Sequence, residues 1–143
     1  MDKEPTKIRL ILKLTSAVLT PEELSARLGV DFDTCHRIGE PRGKTAKFWT
    51  ENWWKISESI DIDLSKAYDE LPLALDRLMS RVEPRSDAFA ALAANEQATL
   101  SIVIYSGIYP GMGFDSKMIA RLARLNVFVD FDLYCGDLSG TKN

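Results

Sequence analysis

The segment 126–135 alternates between apolar and polar side chains, and this alternation constrains the fold more than any other feature of the chain. If the segment is extended, one of its faces carries four apolar residues, Val127, Val129, Phe131 and Leu133. The other face carries Phe128, Asp130, Asp132 and Tyr134. A period of two residues is typical of a β-strand with one buried and one wetter side. We therefore predict a sheet built beside this strand, with helices covering its apolar side.

Three further strands and four helices are predicted along the chain. Alternating patterns place the further strands at 6–15, 52–59 and 98–106. Helical spacing and capping signals place the helices at 20–28, 64–83, 85–94 and 115–125. Between them, the sequence predicts a long irregular loop at 31–51, a flexible turn at 107–113 and a frayed polar tail at 136–143.

Local signals support the helix assignments. Thr20, Pro21 and Glu23 form a capping box with proline at the first helical position. Pro72 lies inside the second predicted helix, and it predicts a kink or a break near residues 70–71 because proline lacks an amide donor. The last helix is expected to be capped by Asp115. Its buried stripe is predicted to contain Met118, Ile119, Leu122 and Leu125.

These elements predict a single α+β domain spanning 1–143. The order β-α-β-α-α-β-α-β fits a ferredoxin-like variant with a four-stranded antiparallel or mixed sheet and helices on one face. In this arrangement the last strand is central, and the other face of the sheet stays uncovered.

Composition narrows the classes of function. The 143 residues carry a net charge of −3, and 45% of them are hydrophobic, which is ordinary for a soluble domain. No run reaches the roughly 20 apolar residues of a membrane span, and the polar stretch 1–5 does not resemble a signal peptide. We expect a cytoplasmic protein that binds neither membrane nor nucleic acid, with a mild preference for a basic partner. A disulfide between Cys35 and Cys135 is possible, but two free thiols are favoured.

The uncovered face of the predicted sheet is the most informative surface. Arg9 and Lys13 of the first strand lie on it, together with Asp130, Asp132 and Tyr134 of the last. If these two strands are neighbours, the opposite charges pair across the sheet and the face is simply solvated.

A second interpretation makes the same face an interface. Trp53, Tyr105 and Phe128 add aromatic rings among the charges, a combination typical of interface anchors. The partner would then be another protein or a second copy of the chain. A third interpretation, a catalytic pair at Asp130 and Asp132, lacks an identifiable third group.

Basic residues and tryptophans are interleaved between residues 37 and 54. Arg37, Arg42 and Lys44 precede Trp53, and such a pattern can bind phosphates and stack bases. Acidic residues flank the stretch and weaken its field, so we assign the three basic residues to protein contact. Trp54 is expected to be buried.

The chain shows no motif for catalysis or metal binding. Its one histidine, His36, lies beside Cys35, but a structural zinc site needs four ligands at characteristic spacing. We predict no metal site, no cofactor and no catalytic residue.

Several segments together resemble a known bacterial family. They are the helix at 19–30, Gly39-Glu40, the strand at 54–57, the break at 81–84, and the segment 122–126 leading to 129–134. The resemblance is to the family called domain of unknown function 4279, and it spans nearly the whole chain. The long predicted helix with Pro72 inside and the second tryptophan, Trp53, depart from the family's pattern.

The resemblance implies a small bacterial protein with no established activity, and some such proteins lie in toxin–immunity neighbourhoods. We therefore expect a non-enzymatic protein-interaction module, specifically an immunity protein that binds and neutralises a cognate toxin. A basic toxin would suit the acidic balance of the chain, and a homodimer is compatible with this role. The alternative is a small-molecule-binding regulatory domain, with its ligand between the 31–51 loop and the sheet edge.

Overall fold

The computed structural model describes residues 5–107 and 111–135 and contains a five-stranded sheet with four α-helices. The strands are β1 (Pro5–Ser16), β2 (Thr34–His36), β3 (Asn52–Asp63), β4 (Gln97–Ser106) and β5 (Phe128–Cys135). The helices are α1 (Pro21–Leu28), α2 (Ala67–Ser80), α3 (Ser86–Asn95) and α4 (Ser116–Leu125). Two short 3₁₀ turns, Leu64–Lys66 and Glu83–Arg85, precede α2 and α3.

The strand order in the sheet is β2-β3-β1-β4-β5. All neighbours are antiparallel except β4 and β5, which are parallel, so the sheet is mixed. The prediction of an α+β fold with a mixed sheet is confirmed, whereas the prediction of four strands is wrong. The strand that the alternation pattern identified first is an edge strand, and the centre of the sheet is β1.

The missed strand is β2, which lies inside the predicted irregular loop. Its three residues pair with β3 on the free edge of that strand, and a strand this short has no readable period. The chain that follows also folds back on itself. The amide of Gly39 donates to the carbonyl of Trp49 at 2.8 Å, and the amide of Arg42 donates to the carbonyl of Lys47 at 3.0 Å. The segment between Gly39 and Trp49 is thus a compact, hairpin-like loop.

The helix signals in the sequence are largely confirmed. At the start of α1, the amide of Glu23 donates to Thr20 Oγ1 at 3.1 Å, and the amide of Thr20 donates to Glu23 Oε1 at 3.0 Å. Gly29 ends the helix with a left-handed φ of 71°, a conformation that glycine adopts without steric cost. Asp115 caps α4 as predicted, accepting from the amide of Met118 at 2.8 Å.

Two helix predictions are wrong in detail. The sequence predicts a kink or a break near residues 70–71, and the break does not occur, because α2 continues from Ala67 to Ser80. Proline removes one hydrogen bond, but Leu71 and Leu75 on either side are fully buried and hold both halves of the helix on the sheet. In α4, Ile119 is 55% exposed. Met118, Leu122 and Leu125 fill the buried stripe, and Ile119 lies just outside it.

The core lies between one face of the sheet and the four helices. It joins the inward side chains of β1, β3 and β4 to the buried residues of every helix. Trp54 is fully buried in it, as predicted, and its indole Nε1 donates to Ser25 Oγ at 3.1 Å and to the carbonyl of Val30 at 3.2 Å. The inward side of β5 is less well covered, since Phe131 and Leu133 are 47% and 40% exposed at the sheet edge.

The predicted turn at 107–113 is described only in part, because residues 108–110 lie outside the described residues. The predicted tail at 136–143 lies outside them entirely.

Candidate functional site

The side of the sheet opposite the helices is a candidate binding surface, which we call the open face. Strand register and alternation define its members. They are Lys7, Arg9, Ile11, Lys13 and Thr15 of β1; Trp53, Lys55, Ser57, Ser59 and Asp61 of β3; Gln97, Thr99, Ser101, Val103 and Tyr105 of β4; Phe128, Asp130, Asp132 and Tyr134 of β5; and Thr34 and His36 of β2.

The cations and carboxylates of the open face are kept apart by β4. Arg9 faces Val103, and Val103 in turn faces Asp132, so Arg9 and Asp132 share a row but are two strands apart. Two strand spacings separate the two backbones by about 10 Å, and no salt bridge joins these two described side chains across β4. The charge pairing expected from neighbouring strands is therefore wrong, because the position of β4 in the sheet could not be read from its sequence.

On the helical side, the side of the sheet that the helices cover, charged side chains are paired within the chain. Four arginines bind carboxylates there, in the pairs Arg37–Glu22, Arg77–Glu58, Arg81–Asp33 and Arg121 with both Asp76 and Glu83. In the part of the chain that the structure describes, no salt bridge involves Arg9, Lys13, Asp130 or Asp132. These four charges of the open face therefore lack internal counter-ions within the described residues, whereas Lys7 and Asp61 of the same face lie opposite each other on β1 and β3.

Like charges are placed directly opposite each other near the centre of the open face. Lys13 of β1 faces Lys55 of β3 in the antiparallel register, an arrangement that is unfavourable by a few tenths of a kcal/mol to about 1 kcal/mol. Burial lowers the pKa of Lys55, and the nearby cations Arg9 and Lys13 lower it further. This group of three cations would be relieved by an anionic group from outside.

An aromatic cluster of His36, Trp49 and Trp53 borders these cations. The rings of His36 and Trp49 stack at 3.8 Å between centroids, and Trp49 meets Trp53 edge-on at 4.8 Å. Lys13 Nζ lies 4.3 Å from the centre of the Trp53 ring, and the Arg42 guanidinium lies 4.5 Å from that of Trp49. The contact between Lys13 and Trp53 offsets part of the repulsion between Lys13 and Lys55.

The acidic side of the open face lies on β5. Tyr105 and Tyr134 stack at 5.1 Å, and the hydroxyl of Tyr134 donates to Asp132 Oδ2 at 3.3 Å. The charge of Asp132 raises the pKa of Tyr134, with a smaller contribution from desolvation. Phe128, at the start of the strand, is 65% exposed. Aromatic rings beside carboxylates are typical of a surface that contacts another protein.

A depression of about 220 Å³ crosses the open face between the two charged sides. It is lined by Lys13, Thr15, Glu51, Trp53, Gln97, Thr99, Phe128 and Asp130. Ligand pockets for drug-sized molecules usually reach about 300 Å³ or more, so this depression suits a side chain or a very small molecule.

Seven of the ten residues predicted to contact a partner lie together on the open face: Arg9, Lys13, Trp53, Tyr105, Asp130, Asp132 and Tyr134. The other three belong to the stretch after β2. Arg37 is bound by both carboxylate oxygens of Glu22 in α1, Arg42 packs on Trp49, and Lys44 is exposed in the turn.

Sequence reasoning missed the roles of Lys55 and His36. The alternation of β3 already placed Lys55 on the outer face, but the register that sets it opposite Lys13 could not be read. His36 could be assigned to the open face only once β2 was known. Cys35 is a free thiol, as favoured, and burial raises its pKa, while the side chain of Cys135 lies outside the described part.

Within residues 5–107 and 111–135, no three side chains of His, Cys, Asp or Glu are grouped so that they could hold a metal ion. In the same residues, no helix is long and apolar enough to cross a membrane.

One comparison with known proteins places the chain in context. The sequence model of a family described as "Domain of unknown function (DUF4279)" matches residues 6–136, which include most of β1 and every later element of the sheet and helices. No curated protein and no solved structure matches the chain significantly.

Proposed function

Because the chain belongs to the DUF4279 family, whose description assigns no activity, we propose its function from the open face: it is a non-enzymatic module that binds another protein. The specific form we propose is a bacterial immunity protein that neutralises a cognate toxin in the cytoplasm.

One observation carries this proposal. On the helical side, arginines are matched with carboxylates of the same chain, whereas the open face leaves Arg9, Lys13, Asp130 and Asp132 without such partners in the described residues. Unmatched charges beside exposed aromatic rings favour association with a partner that supplies the missing counter-ions.

The chemistry of the open face refines the expected partner. The net charge of −3 favours a basic protein as a whole. The side of the face on β1 and β3 is locally cationic, so the partner's contact surface should carry carboxylates there and basic groups opposite β5.

The test is affinity purification of the tagged protein from its native cell, with wild type compared to three variants, Asp130→Ala, Asp132→Ala and Tyr134→Ala. Asp87→Ala, an exposed carboxylate in the first turn of α3, is the matched control on the helical side. We expect a stoichiometric protein with wild type and control that is depleted with the three variants. Equal recovery with all of them would remove the open face from the proposal.

The toxin role has its own test. The recovered protein is expressed in a susceptible host with and without this chain, and growth is followed. Growth arrest that wild type relieves, and that Asp132→Ala relieves less well, would support the immunity role. A recovered protein that does not harm the host would leave a binding module without that role.

The alternative, a small-molecule-binding regulatory domain, is favoured by the depression between Trp53 and Phe128. A metabolite that raises the melting temperature of wild type but not of Trp53→Ala would support it.

A further inference from the structure

We propose that the open face binds a second copy of this chain, face to face, about a two-fold axis that runs along β4. This inference rests on the proposed role of the open face as a protein-binding surface and goes beyond it: a second copy occupies the face until a different partner protein displaces it. A two-fold axis parallel to the strands exchanges the two sides of the face, so β1 of one protomer lies over β5 of its partner.

The register makes the open face complementary to itself under this rotation. Arg9, Val103 and Asp132 form one row across β1, β4 and β5. Rotation about β4 places Arg9 opposite Asp132 of the partner subunit, and by symmetry Asp132 opposite Arg9 of the partner subunit. Arg9 and Asp132 lack counter-ions within the described part of one chain, and the dimer would supply both, in two symmetry-related Arg9–Asp132 pairs.

The neighbouring rows follow the same rule. Lys13 shares a row with Phe128, and Lys7 shares a row with Tyr134. The rotation therefore places each lysine opposite an exposed aromatic ring of the other copy, where a cation–π contact can form. Asp130 lies opposite Ile11 of the partner subunit and diagonal to the partner's Arg9 and the partner's Lys13, within reach of these two long side chains.

The centre of the open face is shaped for close approach. Thr99, Ser101 and Val103 of β4 are small and only 7%, 7% and 8% exposed, so they form a low floor between the two charged sides. Sheets that pack face to face lie about 10 Å apart, a distance that side chains from both sheets span. Under this rotation β1, β4 and β5 overlap with β5, β4 and β1 of the partner subunit, whereas β3 lies beyond the partner's edge strand. Three strands of roughly ten residues present on the order of 480 Å² per copy, below the ~800 Å² per partner of a standard interface and in the range of weak, reversible association.

Charge reversal tests the pairing directly. Sedimentation velocity is measured for wild type, for Arg9→Asp, for Asp132→Arg and for an equimolar mixture of the two variants. We expect wild type at twice the 16.0 kDa chain mass and each variant alone as a monomer. The mixture should form a heterodimer, because the variant with two carboxylates in this row then faces the variant with two guanidinium groups. Asp87→Arg, on α3, should leave the dimer intact.

Three outcomes would overturn the inference: a monomeric wild type at the highest concentration reached, single variants that stay dimeric, or a mixture that stays monomeric although circular dichroism shows both variants folded. None of these would touch the proposed function, which depends on the recovery of a different protein. If wild type is monomeric and still recovers another protein, the proposed function stands and the dimer is excluded. If wild type is dimeric and no other protein is recovered, the dimer stands and the proposed function is excluded.

Discussion

Nζ of Lys55 lies 3.0 Å from Nε2 of His36, and this contact joins the aromatic cluster to the cations of the open face. The ammonium has only donors, so the imidazole nitrogen must accept and the ring must be neutral. Burial lowers the pKa of His36 from its ordinary value of 6.5, and the charge of Lys55 lowers it further.

The first prediction concerns the pH dependence of stability. Because the folded-state pKa of His36 is lowered, the unfolded chain binds more protons between the two pKa values. His36 therefore contributes stability that is present above the unfolded value of 6.5 and is lost as the pH falls through the folded value. His36→Phe keeps a ring against Trp49 but cannot titrate. We expect this variant to lose less unfolding free energy than wild type when the pH is lowered from about 7.5 to about 5, measured in urea titrations.

The same contact gives a spectroscopic control. His36 is the only histidine in the chain, so its ring protons can be followed by NMR without assignment. Lys55→Met removes the cation but keeps much of the side-chain volume, and it should move the pKa of His36 upward. A His36 pKa at or above 6.5 in wild type would contradict the geometry.

The second prediction concerns an ion-pair network between helices. Arg121 of α4 donates to Glu83 from Nε at 2.8 Å and from a terminal nitrogen at 2.6 Å, and to Asp76 of α2 at 2.8 Å. Its side chain is 24% exposed. We expect Arg121→Met to lower the unfolding free energy by about 1–2 kcal/mol, with a smaller loss at high salt. Arg124→Met is the matched control, since Arg124 lies in the same helix and forms no ion pair in the described residues.

The helix boundaries were the most predictable part of this fold, because capping is a local matter. The Thr20 and Glu23 side chains satisfy amides only three residues away, and Asp115 does the same for Met118. Such contacts depend on sequence spacing alone and stay readable without a tertiary structure.

The strand order was not predictable, because it depends on contacts between distant residues. Nothing near Asp132 in the sequence indicates that Val103 lies beside it and Arg9 lies one strand further away. Apart from Thr34 and His36 of the unpredicted β2, the members of the open face followed from alternation, which sets the side of each residue. The arrangement of charges on it, including Lys13 opposite Lys55, needed the register.

The third prediction concerns the buried tryptophan. Trp54 is fully buried and donates to Ser25 Oγ and to the carbonyl of Val30. Trp54→Phe removes the donor, leaves a cavity and should cost about 2–4 kcal/mol in urea unfolding at a fixed protein concentration. Trp53→Phe on the open face is the control and should cost less than about 1 kcal/mol, since Trp53 is partly exposed. Equal losses would mean that Trp53 carries a structural role as large as that of Trp54.

The fourth prediction is a stabilising substitution. Thr15 Oγ1 is the one buried side-chain nitrogen or oxygen without a hydrogen-bond partner in the described part of the chain, and Thr15 is 6% exposed. An unsatisfied buried hydroxyl costs about 1–3 kcal/mol, and valine has the same shape without the polar atom. Thr15→Val should therefore raise the unfolding free energy by about 1 kcal/mol, measured by urea titration.

Thr99→Val is the matched control for this substitution, because Thr99 lies in the adjacent strand and is similarly buried at 7% exposure, yet its hydroxyl is not among the unsatisfied groups. Its replacement should be neutral or destabilising, since removing the Thr99 hydroxyl relieves no buried unsatisfied group. If Thr15→Val were destabilising instead, the Thr15 hydroxyl would have a partner in solution. Because Thr15 lines the depression beside Lys13 and Trp53, a water molecule held in that depression would be the simplest such partner.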